Sequence, residues 1–532
     1  MSQEIPVDAD SDSSLRNGFT TRRDEAELAR MGYKQELKRE LSVIQNFGVS
    51  FSIISIITGV PSLFQYGLVT GGPAVMVWSW LVVACFTMAI GLAMAEICSA
   101  HPTSGGPYFW AAMLSPTEIA PFASWITGWF NLLGQIAVTT GISFACADFI
   151  STVATFQTDF TSTPATNIGV YAAVLVGQGL VNTFGVRLLK HLNNFSIWWH
   201  IIGTVTIVIG KTHLKKHSKN FNGKMLSNRS AILAAAPSHQ SGHFVFSTFI
   251  DRTGVDGVGW SERASPAYVV VIGILMSQYS LTGFDASAHM SEETHNAATS
   301  GSYGIISAIG ASALKTAHDF GFRVQVIVIG AMFMCGTFSV TSNSRMMYAF
   351  ARDGGLPGHK FFRVVSAERK SPTRAVWLAC ALSFMLGLPS LGSTVAFSAA
   401  TSIATIGLYV SYAIPIALRV VYRRAFVRGP FHLGPFSYPI AVTATIWIAF
   451  ISIAFILPQE NPVNSQTLNY AVVAVGIVVA YSLSFWFISA RKWFKGPIKQ
   501  ISGQYQSRFL DEFFFYLRNP FDFSSSGGNC DK

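Results

Sequence analysis

Only 12% of the 532 residues are charged and half are hydrophobic, so the residues able to do chemistry stand out as interruptions of apolar runs. The stretch SQYSLTGFD, Ser277 to Asp285, breaks such a run near mid-depth and ends on a carboxylate. FSIISIITGVP repeats the theme earlier: Ser55, Thr58 and Gly59 there match Ser280, Thr282 and Gly283. Gly and β-branched Thr weaken a helix, and Pro61 removes a further backbone bond. A broken helix exposes N–H groups whose dipole attracts a carboxylate, and it bares carbonyls that hold an ammonium group or a cation. Unsatisfied backbone inside a bilayer is tolerated only where it lines a cavity. The same residues also fit a pair of glycine-softened packing helices.

Ionisable side chains inside apolar runs cost roughly 3 kcal/mol or more, so each needs a reason. Asp285 follows the second break and has two readings: carrier of a coupling proton or attractor of an amine, against a carboxylate bonded to neighbouring backbone. Glu96 ends an apolar run before HPTSGGPYFW, where bonding to loop backbone competes with coupling. Glu292 and Glu293 are expected in the cytosol with a gating role open to them. Arg345 sits near the inner end of its run, to pair with a gate carboxylate or snorkel to the interface. His200 and His289 lie near helix ends, solvated or packed.

The elements that must hold these residues are membrane helices. The mean hydropathy of +0.40, 42 Phe and 45 Gly fit a polytopic membrane protein. Apolar runs of spanning length fall near 47–66, 74–98, 122–145, 167–185, 192–210, 267–290, 303–314, 325–350, 375–391, 394–419, 438–457 and 468–489. Lys and Arg gather in alternate loops and at both termini, while 67–73, 146–166 and 458–467 carry none. This places the N-terminus in the cytosol and explains the net charge of +10 without nucleic acid. Residues 1–46 are polar, with no cleavable signal, and LARMGYKQELKRELSVIQNF reads as an amphipathic helix on the membrane surface. The six cysteines show neither metal spacing nor a disulfide framework, so no metal or cofactor is expected. The two breaks lie five spans apart, and an odd offset inverts topology, the pattern that points to a secondary-transporter site.

Rival classes fare worse. The sequence has no HExxH or GxSxG, and GKT at Gly210–Thr212 has Val205 where a phosphate loop needs glycine. A channel would want a filter repeat or a charged ring. A sensor built on a transporter scaffold would want a longer signalling tail.

The motifs ELKRELSVIQNFGVSFSIISIITG, AMAEICSAHPTSGGPYFW, SWITGWFNLLGQIAVTTG, QYSLTGFDASAHMSEET and CGTFSVTSNSRMMYAFARDGGLPGH resemble the amino acid–polyamine–organocation superfamily, over roughly residues 24–495. More narrowly they resemble its fungal branch of 4-aminobutyrate and choline permeases. The resemblance implies an all-α polytopic, leucine-transporter-like fold: two inverted repeats of five helices, then two more helices. It implies a first repeat at 47–210, an external loop at 211–266, a second repeat at 267–420, closing helices at 421–490 and cytosolic tails at 1–46 and 491–532. It also implies a permease, not an enzyme, that imports an amino acid or 4-aminobutyrate across the plasma membrane with protons. Choline or a polyamine is the alternative substrate, and a vacuolar membrane the alternative location. Carried over by motif, Ser55, Ile57, Thr58 and Gly59 would offer N–H groups to a substrate carboxylate. The carbonyls of Tyr279, Ser280, Leu281, Thr282 and Gly283 would hold its amine, with Tyr279 as an aromatic gate. Asn131 and Gln135 would face the cavity or bond between helices, and Thr337, Ser339 and Ser402 are further candidates. Choline would want rings, which Tyr279, Trp125, Trp129 and Phe284 offer.

Two regions depart from the family pattern. Residues 211–230 hold six Lys or Arg and no acid on the side expected to be external, as a translated intron or a lineage insertion would. The seventh apolar run, Gly304 to Leu314, gives about 16 Å of helix against about 30 Å of hydrocarbon, as if a segment were missing. A chain lacking that segment is expected to be unstable or inactive.

Overall fold

The computed structural model describes residues 21–157, 160–184, 186–213, 240–314, 322–392, 395–423 and 426–497. The fold is all-α and polytopic, and among the described residues nine helices are long and apolar enough to cross a membrane. In chain order, α1 is Val43–Ile53, α2 Ile56–Ser62, α3 Phe64–Val69, α4 Gly72–Ala100, α5 Ala120–Gln157, α6 Pro164–Thr183 and α7 Val186–His213. The interrupted sixth span comprises α8 Pro266–Gly273, α9 Leu275–Ser280 and α10 Ala286–His289. Then come α11 Ala297–Leu314, α12 Phe322–Arg352, α13 Thr373–Gly387, α14 Ala396–Val421, α15 Ser437–Ala454 and α16 Ala471–Phe485. At 38 residues α5 is far longer than the expected 122–145, and it packs against α14, α12, α13 and α6.

Two expectations need correction. The N-terminal segment is not a helix lying on a membrane surface. Residues 21–30 are helical, and the chain then runs without regular structure to Leu41, as a strap across the end where the basic segments gather. Leu28, Tyr33, Leu37 and Leu41 are buried in the main core. The strap's backbone is used as well: Glu40 and Leu41 donate to the Glu293 carbonyl, and His295 N–H donates to Leu41. Four large apolar side chains spaced over fourteen residues explain why it leaves the surface: each removes area from water at about 25 cal/mol per Å².

The seventh span is also longer than its apolar run. Helix α11 has 18 residues, about 27 Å, because AATSGSY joins it from the N-terminal side. Hydropathy misses this turn because it faces protein. Gly301 sits against Cys98, Gly304 against Asn46 and Ser287, and Ser302 bonds the Ala95 carbonyl. The basic stretch within 211–230 lies, from residue 214 onward, outside the described residues. Cys98, Cys146, Cys335 and Cys380 are buried and unbonded to one another, and Cys85 is exposed.

Candidate functional site

The first break falls at Ile54–Ser55, where Ser55 is extended and α2 starts without a side-chain cap. The N–H groups of Thr58 and Gly59 both donate to the Ser55 carbonyl, at 3.0 and 2.9 Å. In this conformation the donor end of α2 is therefore its first turn, around Ile57, rather than Thr58 or Gly59. The carbonyls left by the break are taken from neighbouring helices: Ser312 donates to Ile54 at 2.8 Å and the Cys335 thiol to Ile53 at 3.3 Å. Neither residue is marked by the sequence, since a lone Ser or Cys in an apolar run reads as packing.

The second break begins after Ser280, and its turn depends on Gly283, whose φ of +102° a side chain rarely adopts. The Ser280 and Thr282 hydroxyls donate back to the Met276 and Gln278 carbonyls at 2.7 Å, so their hydrogens are already used. The Tyr279 carbonyl accepts from Thr282 N–H. Among the described residues no donor reaches the Ser280 or Leu281 carbonyl.

The two breaks touch. A Cβ on Gly59 would lie 2.7 Å from Ser280 Cα, and one on Gly283 would lie 2.5 Å from Ile53 Cγ2. Between them is a cavity of about 10 Å³, bounded by Ile53, Thr58, Gly59, Tyr279, Ser280 and Thr282. That is room for roughly one water molecule, far below the ~300 Å³ of a small ligand pocket. Tyr279 closes one wall against Gly141, whose added Cβ would meet the phenol oxygen at 2.4 Å. Of the four rings considered for a choline cage, only Tyr279 reaches this cavity. Trp125 and Trp129 pack on Phe350, Phe485 and Tyr481, and Phe284 packs on Tyr412.

Asn131 and Gln135 are on the same helix but not at the cavity, which α5 meets through Val138 and Ile142. Asn131 donates to Ser411 at 3.0 Å, bonding between helices. Gln135 donates to Asp285 Oδ2 at 2.8 Å, one turn below the cavity-facing residues. Thr337, Ser339 and Ser402 are likewise engaged elsewhere, with Phe333, Thr139 and Gln459.

Asp285 is completely buried, and its second neighbour is His289 Nε2 at 3.3 Å. The other ring nitrogen, Nδ1, lies 2.9 Å from the Ser104 carbonyl, which can only accept, so Nδ1 carries a hydrogen. Nε2 lies close to the carboxylate but makes no hydrogen bond with it in this form, and the second carboxylate oxygen, Oδ1, is also without a partner among the described residues. His289 read as an end residue in the sequence; its spacing of four from Asp285 is the signal that could have joined them.

Asn46 and Ser50, one turn apart on α1, are likewise unmarked by the sequence. Asn46 donates to the Ser287 carbonyl and Thr294 hydroxyl, and Ser50 bridges Phe284 and Ser287. These bonds tie the first broken span to the second half of the sixth.

At the basic end, charges expected to be solvated are buried and paired. Arg352 holds Glu292 with two bonds of 2.9 and 3.0 Å, and Arg345 holds Glu293 at 2.7 Å. Ser104 N–H donates to Glu292, and Tyr33 and Tyr108 both donate to Asp353. Burial of the two glutamates follows from the strap, which covers the face they would otherwise show to water. Glu96 is remote from both breaks: it binds Arg419 of α14 at 3.0 Å, Ser437 and the Leu433 N–H, fastening α4 to α14 and α15.

A sequence model described as amino acid permease matches residues 44–318 and 304–480, two stretches that overlap over 304–318. The chain belongs to the amino acid permease family. An amino-acid permease BAT1 homolog of Oryza sativa is 42% identical over 90% of this chain and 96% of its own length. The amino-acid permease BAT1 of Arabidopsis thaliana is 40% identical over 89% and 96%. An uncharacterised amino-acid permease of Schizosaccharomyces pombe is 31% identical over 91% and 92%. These relatives make the chain an amino acid permease of the wider superfamily without singling out a 4-aminobutyrate or choline branch.

Proposed function

We propose that this permease imports a zwitterionic amino acid or 4-aminobutyrate by proton symport, through alternating access around the two broken helices. The observation that carries the reading is the pairing of opposite backbone polarities at one point: the uncapped first turn of α2 beside the undonated carbonyls of Ser280 and Leu281. The N–H groups near Ile57 would bind the substrate carboxylate and those carbonyls its ammonium group. Tyr279 would lie over the bound molecule as a gate. Choline lacks the carboxylate, and the rings that would cage it are packed elsewhere, so it remains the weaker reading.

The coupling proton would be taken up by Asp285, which has His289 3.3 Å away and Gln135 donating to the same oxygen. Glu292 and Glu293, with Arg352 and Arg345, would form the inner gate that parts when substrate leaves. Glu96 takes no part in coupling and acts as a fastening. The plasma membrane is the location that suits an importer.

The test is uptake of radiolabelled neutral amino acid, 4-aminobutyrate and choline at pH 5 and pH 7, in permease-deficient yeast expressing the full chain. Saturable uptake of a carboxylate-bearing substrate, faster at pH 5, is the expected result. Uptake of choline alone would overturn the substrate assignment, and equal rates at both pH values would overturn the proton. Absence of all uptake from surface-expressed protein would fit a chain disabled by its insert.

A further inference from the structure

Away from the transport pathway, the basic end carries a groove of about 460 Å³ that the proposed function does not use. Lys38, Arg39 and Glu40 of the strap, Lys190 and His191 of α7, and His295 of the link between α10 and α11 line it. Three stretches far apart in sequence thus bring five basic side chains together with one carboxylate. That carboxylate, Glu40, is already paired with Lys38 at 2.5 Å. Lys190 has no carboxylate partner among the described residues. Arg39 is 3% exposed; its Nη1 is bound to the Ser291 and Thr294 carbonyls and lies 4.0 Å from Asp24, but its Nε has no partner. Burial holds the His295 imidazole below its ordinary value; Asp24 opposes this, and the charges of Arg39 and Lys190 add to it. Asp24, Glu292, Glu25 and Glu27 act on Arg39 and Glu40 answers Lys38, which leaves Lys190 as the cation of the groove that has no carboxylate partner among the described residues.

One wall continues into an apolar stripe. On α7, Leu188, His191, Phe195, Trp198 and Ile202 are exposed and follow one another at helical spacing of three and four. From His191 to Ile202 the stripe runs about 17 Å, close to the ~15 Å of a single leaflet's hydrocarbon. Val43 and Ile44, just beyond the strap, are exposed beside it at the start of α1. A ligand made for this surface has a phosphate at one end and a hydrocarbon chain at the other.

We propose that the groove binds the phosphate headgroup of an anionic membrane phospholipid, with an acyl chain lying along the Leu188–Ile202 stripe. The phosphate would sit among Lys190, His191 and His295, beside Arg39, and would join the strap to α7. Basic pockets at the membrane surface take anionic lipid by this combination of charge and apolar contact.

The test uses the purified full-length chain in phosphatidylcholine nanodiscs with and without phosphatidylinositol phosphate, reading retained lipid by native mass spectrometry and stability by thermal midpoint. Wild type should retain the anionic lipid and melt higher with it. Lys190→Gln should bind about fivefold more weakly, one basic residue's share at such a surface. Lys190→Arg should bind as wild type does, and so should Arg423→Gln, which alters a basic segment elsewhere. Melting in phosphatidylcholine alone shows that each variant is folded. Equal losses at Arg423 and Lys190, or no retention by wild type, would overturn the proposal. Soluble inositol phosphate that protects as well as the lipid would overturn it too, because the acyl stripe would then have no role.

Discussion

The centre of the molecule and its basic end solve opposite problems with the same kinds of residue. At the centre, polar groups stand beside one another with bonds unmade: the Ser280 and Leu281 carbonyls, the Tyr279 phenol and one oxygen of Asp285. In the buried cluster of the basic end Glu292 and Glu293 are each answered by an arginine, twice over in the pair Arg352–Glu292, and the Arg352 guanidinium lies 3.9 Å from the Tyr33 ring centre. Unmade bonds inside protein are costly, and a site that must exchange partners has to keep some. A region that only has to stay shut can pair its buried charges. On the proposed reading, the contrast separates the substrate site from the inner gate.

The contrast is broken most severely by removing one side of a buried pair. Arg345→Ala leaves Glu293 charged and fully enclosed, a loss of about 3–5 kcal/mol, measurable as a collapse of folded yield and thermal midpoint. Restoring a neutral pair with Arg345→Met and Glu293→Leu together should recover most of that stability while uptake stays low. Recovery of uptake as well would show that the pair is a fastening and not a gate.

At the centre the expected pattern is reversed, with function lost and fold kept. Gly59→Val would push against Ser280 backbone, which cannot yield as a side chain end can. Uptake should fall by more than about tenfold, equivalent to ~1.4 kcal/mol, with surface expression unchanged. Asp285→Asn should leave expression intact and erase the difference in uptake between pH 5 and pH 7, whereas His289→Gln should only reduce that difference. A pH response that survives both would move the proton elsewhere.

The smallest effect sharpens the boundary between the two regions. Tyr33→Phe removes one of two hydroxyls on Asp353, at a cost of about 1 kcal/mol. Amide hydrogen exchange should speed up across 33–41 and stay the same in α2 and α9.

What the sequence made legible follows the same divide. Both breaks were readable, since Ser55, Gly59 and Gly283 weaken helices whatever surrounds them. Asp285 could be flagged because an acid in an apolar run is conspicuous on its own. The partners were not readable. Gln135 points at Asp285 rather than at the cavity by a matter of one helical turn, and a sequence gives no rotation for α5. The strap was mistaken for a surface helix because amphipathicity records that one face is apolar, not what covers it. The apolar run marks only part of α11 because hydropathy reports contact with lipid, and the first two turns, AATSGSY, pack on Cys98 and Ala95 instead. Glu292 and Glu293 were placed in water for the related reason that their arginine partners lie fifty and sixty residues downstream.

The cavity of about 10 Å³ between the broken helices sets a thermodynamic condition on transport. If this is the substrate site, an amino acid would not fit it in this form, and binding would draw on molecules whose helices have separated. Apparent affinity is then the intrinsic affinity multiplied by the fraction that is open. If one molecule in about a hundred is open, a micromolar site behaves as one of about 100 μM. Loosening the contact of Gly59 with Ser280 would tighten apparent binding without touching any ligand contact, and the gain would show in half-saturation rather than in maximal rate.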